Sequence, residues 1–247
     1  MNNLKKKLIR KVKPLLPHSV WVYLRYLKRK IFNNGYYALN NLDRKLEKYL
    51  DYRNGFFIEL GANDGLTQSN TLSLEEKKNW RGLLIEPIPH QFLSCCHYRS
   101  KVGNKIFCNA CVPFDFKEKY VDIEYANLMS VSSNLDHDLN DTQNFLKIGR
   151  DHLDNNAKNI TFGASPATLT HLLEVADAPK FIDLLSLDVE GAELSVLKGI
   201  NFKKYNFKYL LIESRKIERI IEFLSPHDYE VIEKLSYHDY LFRYNGV

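Results

Sequence analysis

Three carboxylates late in the chain have the types and spacing to move a proton. Asp188 and Glu190 follow the apolar run Phe181 to Leu187, and Glu213 ends the run Tyr209 to Ile212. In an open α/β sheet, ligands sit beyond the carboxyl ends of the strands, so these side chains should share one cleft. A carboxylate placed there can accept the proton of a hydroxyl, and a positioned base contributes about 10²–10⁴-fold to rate. Asp188 is the first candidate for base or acceptor-positioning group, with Glu190 beside it. The plainer reading of Asp188 is a cap on the following helix. Glu193 reads as an exposed helix residue. Three such carboxylates can alternatively hold Mg²⁺, which takes oxygen ligands. No motif demands a metal, so none is assigned.

A second constellation lies upstream. Phe56 to Leu60 is a short run, with Glu59 near its end, long enough for a buried strand. Gly61-Ala62-Asn63-Asp64-Gly65 follows, and then Gln68 to Lys78 reads as a helix. A strand, a glycine turn and a helix make a nucleotide-binding first turn, because glycine tolerates positive φ and lets backbone approach a ligand. The pattern is Gly-x-x-x-Gly rather than the dinucleotide Gly-x-Gly-x-x-Gly. Alone it equally describes a tight turn with no ligand. The strand Gly82 to Ile85 ends in Glu86, 25 residues after Gly61. That is where an acidic side chain holds ribose hydroxyls, and a carboxylate accepts two hydrogen bonds from a diol. The competing reading makes Glu86 a helix N-terminal charge before Pro87.

The elements that must position these groups alternate from residue 55 onwards. Residues 88–100 read as a helix, Lys105 to Val112 as a third strand and Pro166 to Ala176 as a helix with Leu169, Leu172 and Leu173 inward. Ala192 to Leu197 begins another helix, and Lys216 to Leu224 is amphipathic. Tyr229 to Leu235 and Tyr240 to Tyr244 suit a closing antiparallel hairpin. Residues 113–165 are polar and break the alternation, as a lid, substrate loop or disordered insertion would.

Charge divides the chain. Residues 1–42 carry ten Lys and Arg and no Asp or Glu, which leaves 25 basic against 30 acidic residues elsewhere. The positive charge is therefore an arm on an acidic body, and the body lacks the cations that a nucleic-acid partner needs. Leu4, Leu8, Ile9 and Val12 share one helical face before Pro14 and Pro17 interrupt it. Ser19 can cap a second helix with an apolar stripe of Val20, Trp21, Leu24, Leu27 and Ile31. Such a pair suits an anionic membrane surface through residues 1–32, or packing on the body or a second subunit. No apolar run reaches transmembrane length. The division expected is a helical arm over 1–50 and one domain over 51–247. Four clustered cysteines suit reduced thiols in a cytoplasmic protein, peripheral on the membrane if the arm binds it. Cys108-x-x-Cys111 resembles half a zinc site, but on one strand the two would face opposite sides, so buried thiols are the reading kept.

Together these stretches resemble the FkbM family of S-adenosylmethionine-dependent methyltransferases. The resemblance rests on Phe57-Ile-Glu-Leu-Gly-Ala-Asn-Asp-Gly65, Ser69-Asn-Thr71, Asn79-Trp-Arg-Gly-Leu-Leu-Ile-Glu-Pro87 and Ile182-Asp-Leu-Leu-Ser-Leu-Asp-Val-Glu-Gly-Ala-Glu193. It implies an α/β fold with a Rossmann-like class I methyltransferase sheet, mostly parallel. It also implies methyl transfer to a hydroxyl of a sugar, glycan or related metabolite. By resemblance, Glu59, Gly61, Asn63 and Gly65 line the methionine end of the cofactor and Glu86 holds its ribose. The insertion and residues 1–50 match no family pattern, so the acceptor is not carried over. The rival readings are an NAD-dependent oxidoreductase and a non-catalytic, membrane-associated binding module.

Overall fold

A computed structural model of the chain describes residues 18–151, 153 and 160–246. The expected first helix, over Leu4 to Val12, lies outside the described residues. The helices are α1 (His18–Phe32), α2 (Leu42–Leu46), α3 (Leu72–Lys78), α4 (Pro89–Arg99), α5 (Thr142–Arg150), α6 (Leu169–Val175), α7 (Glu193–Leu197) and α8 (Ile217–Leu224). The strands of the main sheet are β1 (Phe56–Leu60), β2 (Arg81–Ile85), β3 (Lys105–Phe107), β9 (Phe181–Leu187), β10 (Asn206–Glu213), β11 (Tyr229–Lys234) and β12 (Asp239–Tyr244).

Those seven strands lie in the order β11-β12-β10-β9-β1-β2-β3. Five are parallel, and β12 and β11 close the edge as the expected antiparallel hairpin. This is the expected mostly parallel, Rossmann-like α/β sheet. The chain runs outward from β1 to β3 and then crosses to β9 on the other side of β1. The strand order reverses between β1 and β9, and a crevice opens at such a switch point. Gly61 follows β1 and Asp188 follows β9, so both come to it.

The central strands are apolar on both faces because helices cover both. Ile58, Leu60, Leu83, Ile85, Leu185 and Leu187 enter one core. Phe57, Trp80, Leu84, Leu184 and Leu211 enter the other. Leu42, Leu46 and Leu50 are buried in that second core, so the body begins before residue 51.

Several elements depart from the sequence reading. The helix after the glycine turn starts at Leu72 and not at Gln68. Gln68 has φ of 61°, and Ser69, Asn70 and Thr71 are folded back onto Glu59. Lys105 to Val112 is not one strand, because β3 stops at Phe107. Ala110–Cys111 forms β4, which pairs in parallel with β8 (Pro166–Ala167) in a separate small sheet. Pro166 therefore lies in a strand, and α6 begins after Thr168, whose hydroxyl accepts from His171 N. Cys95 and Cys111 are buried free thiols, whereas Cys96 and Cys108 are only half-buried.

Residues 113–165 are not a structureless insertion. Strands β5 (Val121–Glu124), β6 (Val131–Ser132) and β7 (Thr161–Ala164) form a three-stranded sheet with α5 beside it. Val121, Ile123, Leu135 and Ala164 make a small core that joins Ala110, Val112 and Ala192 of the main body. The polar residues that suggested a loop are its fastenings. Asp141 caps α5 by accepting from Asn144 N at 3.0 Å. Asp138 Oδ2 accepts from Ser214 Oγ and from the backbone N–H of Arg215 and Lys216.

Arg99, at the end of α4, is fully buried. Its guanidinium donates to Glu75 at 2.8 Å, to the Gly65 carbonyl at 2.9 Å, to Ser69 Oγ at 3.2 Å and to Thr71 Oγ1 at 3.1 Å. It lies 3.6 Å from Glu59. Arg99→Met leaves Glu59 and Glu75 buried without a cation, so unfolding in urea should reveal a loss of about 3–5 kcal/mol. A loss below about 1 kcal/mol would mean that the carboxylates take up protons and the network is not structural.

Candidate active site

The crevice at the switch point is a cleft of about 1080 Å³, open solvent at its mouth included. The turns after β1, β2 and β9 line it, together with residues of the 113–165 segment. Gly61 has φ of 77°, and a Cβ on it would strike the Asp188 carbonyl oxygen. Any side chain at this position would push the β1 and β9 turns apart.

Glu86, beyond the end of β2, lines the same cleft and is almost wholly buried. Its Oε2 accepts from Asn63 N and its Oε1 from Ile88 N, at 2.8 and 2.9 Å. Burial pushes its carboxyl up to about 7, against the lowering by those two N–H groups. One side chain thus pins the glycine turn and the start of α4, and each oxygen keeps a lone pair for a further donor. Asn63, held at φ of 48°, is also in the lining.

Glu59 borders the cleft, but its oxygens are committed to Ser69 Oγ, Asn70 N and Thr71 Oγ1. Its place is behind the wall, where it fixes the Ser69-Asn70-Thr71 turn. Asn70 in turn donates to Ser186 Oγ on β9 at 3.0 Å. Gly65 is not among the lining residues. Its φ is 80°, and a Cβ there would strike Arg99 and Cys95. It is a glycine for packing reasons.

Asp188 and Glu190 line the cleft beside the Gly61 turn, and together with Glu213 behind them each offers an oxygen, all within 4.8 Å of one another. Glu190 sits in the left-handed region at φ of 56°, which turns its side chain back towards Asp188. Burial, and then the charges of Glu213 and Glu190, hold the Asp188 carboxyl well above the usual range. Burial and Glu213 push Glu190 up to about 8, although Arg215 opposes the shift. Asp188 and Glu190 therefore hold their protons to higher pH than an ordinary carboxyl. The trio has the oxygen donors that a divalent cation would take. It also has a cation from the chain itself, since Arg215 Nη2 lies 3.3 Å from Glu213 and 3.5 Å from Glu190.

Sequence reasoning passed over Arg215, which stands two residues after a strand-end carboxylate and so had a visible signal. Glu193 is a correction, because it is buried and not an exposed helix residue. Its Oε1 accepts from Val189 N and Gly191 N at 3.0 and 3.1 Å and fixes the loop carrying Asp188 and Glu190. Asn109, Asn127, Ser130 and Ser132 line the cleft too, from segments with no recognisable motif.

The model of the family described as "Methyltransferase FkbM domain" matches residues 59–244. No curated protein matches the chain. Among solved structures, precorrin-6y C5,15-methyltransferase from Geobacter metallireducens GS-15 is similar at 10% identity and a TM-score of 0.37. The match covers 82% of this chain and 85% of that one.

Burial pushes Glu193 up to about 8 against its two backbone donors. Between about 4.3, the unfolded value, and 8, the native state holds a proton that the unfolded chain has lost, so stability should fall as pH rises through that window. Glu193→Gln keeps the acceptor oxygen and removes the titration. Chemical denaturation across the window should give a shallower fall for this variant than for wild type. Parallel profiles would show that Glu193 titrates normally.

Proposed function

The chain belongs to the FkbM methyltransferase family, and on that premise we propose that it methylates a hydroxyl of a sugar, glycan or similar polyhydroxylated acceptor. S-adenosylmethionine, the methyl donor that the family implies, supplies an electrophilic methyl on a sulfonium when bound. The cleft fits it. Gly61 lets the β1 and β9 turns meet in the cleft lining, Asn63 and Glu86 border the turn, and Glu86 has free lone pairs for a ribose diol. Glu59 and Gly65, expected by resemblance at the methionine end, support this site from behind.

The observation that carries the O-transfer reading is the carboxylate trio, of which Asp188 and Glu190 line the same cleft. A neutral hydroxyl must lose its proton as the new bond forms, and a group titrating near the working pH is best placed to take it. Asp188 is the proposed base, and Glu190 shares the proton. Glu213 and Arg215 set the charge around them. Asn109, Asn127, Ser130 and Ser132 bring uncharged polar groups to a wall that also carries Ile123, Leu128 and Leu135, a mixture that suits the hydroxyls and ring carbons of a neutral sugar.

Asp188→Asn should bind S-adenosylhomocysteine almost normally in calorimetry. In single-turnover transfer to a panel of hydroxylated glycans it should be slower by about two orders of magnitude or more. Full activity would leave Asp188 as the start of the following turn. Wild-type rate should rise as pH increases, because Asp188 and Glu190, the latter near 8, must first give up their protons. Arg215→Gln should move that rise to higher pH. Loss of wild-type turnover in EDTA would instead make the trio a cation site. Glu86→Gln, gentler than alanine because Glu86 also holds two backbone N–H groups, should weaken cofactor binding by about 1.5–3 kcal/mol. Unchanged affinity would remove Glu86 from the ribose site.

A further inference from the structure

Helix α1 carries two apolar faces, and the body covers only one. Val22 is buried with Tyr37, Leu66 and Leu72, and Tyr26 and Tyr98 pack around them. Tyr26 and Lys30 both bind Glu76 Oε1, so this side of the helix is fastened to α3. Of the stripe expected from the sequence, Val20, Leu24, Leu27 and Ile31 recur at steps of four, three and four residues, with the half-buried Trp21 beside them. That spacing marks one helical face, turned away from Val22. Val20 is 41% exposed, Leu24 45% and Ile31 66%. Phe32 ends the helix at 79%. Val20, Leu24 and Ile31 are left uncovered by the described residues and Leu27 is half-covered, and a row of exposed apolar side chains marks an interaction site.

Charge decides the occupant. Arg25 and Lys28 are exposed on α1, and residues 1–42 contain ten cations and no acid. Pairing α1 with α1 of a second copy would set these cations against each other with no acidic partner on either helix. An anionic bilayer offers both things this helix lacks, an apolar layer for the stripe and negative headgroups for its flanks. We propose that α1 lies in the plane of an anionic membrane surface, with Val20, Leu24, Leu27 and Ile31 buried in the lipid and Arg25 and Lys28 at the headgroups. The opposite face of α1 packs on Leu66 and Leu72. Thr67 to Asn70, between them, line the cleft, so the anchored helix is coupled directly to the cleft wall.

The test uses the full chain and vesicles of phosphatidylcholine with and without phosphatidylglycerol. Wild type should float with the anionic vesicles, and high salt should release it. The emission of Trp21 should shift to the blue on binding, because the other tryptophan, Trp80, is already buried. Leu24→Glu with Ile31→Glu, and separately Arg25→Glu with Lys28→Glu, should each lower partitioning by about tenfold or more. Both variants should keep wild-type affinity for S-adenosylhomocysteine and wild-type thermal unfolding, since these side chains point to solvent. Unchanged flotation of the Leu24/Ile31 variant would overturn the proposal, as would equal binding to neutral vesicles. A wild-type dimer that ignores vesicles and dissociates in the Leu24/Ile31 variant would give the face to a second copy instead.

Discussion

Glu59 and Arg99 are removed from water together, and the hydrogen bonds that compensate them set the shape of the cleft. A buried pair of charges is favourable only if its remaining donors and acceptors are satisfied. Here Glu59 gathers Ser69, Asn70 and Thr71, while Arg99 gathers Glu75, Ser69, Thr71 and the Gly65 carbonyl. Those partners come from the end of β1, the turn after it, the start of α3 and the end of α4. None can move without exposing an unpaired charge. The glycine turn is therefore held from behind, and Gly65 must be small because Arg99 occupies the space its side chain would need.

The β9 side of the cleft is held by the reverse principle. At Asp188, Glu190 and Glu213 the chain gathers like charges and supplies one guanidinium, Arg215, which does not neutralise all three. Asp138 also lies beside Arg215 and anchors the backbone of residues 215 and 216 from the 113–165 segment. The frustration is tolerated because the backbone around it is over-determined. Glu193 clamps residues 189 and 191, and the left-handed Glu190 sits between those clamped residues. Perturbed carboxylates on a rigid frame are how a fold provides a proton acceptor near neutral pH.

The sheet was legible because its central strands are mostly apolar runs followed by a charged or glycine residue. Phe181 to Leu187 coincides with β9, and β1, β2 and the closing hairpin fall where the pattern put them. The residues at the strand ends were legible for the same reason. What escaped was set by contacts distant in sequence. Nothing local shows that Gln68 to Thr71 would leave the helix for Glu59, or that Lys105 to Val112 would split between two sheets. Glu193 looked like any polar residue on a short helix, since its partners are backbone N–H groups that carry no sequence signal. Strands of two to four residues in the 113–165 segment are too short for an alternation to be read. On α1 the apolar stripe was correctly spaced. The residue that docks the helix, Val22, lies outside the stripe, because the body contacts the narrower face.

The small parallel pair β4 and β8 has a consequence for how this enzyme can change. The segment that lines one wall of the cleft leaves the body at Cys111 and returns at Pro166, beside Ala110. Its two ends are thus about one strand spacing apart, roughly 4.8 Å. A loop whose ends are already closed can be lengthened at a cost of only about 0.6 kcal/mol per doubling. The wall can change through two adjacent junctions, provided that the fastening of Asp138 to the backbone of residues 215 and 216 is kept.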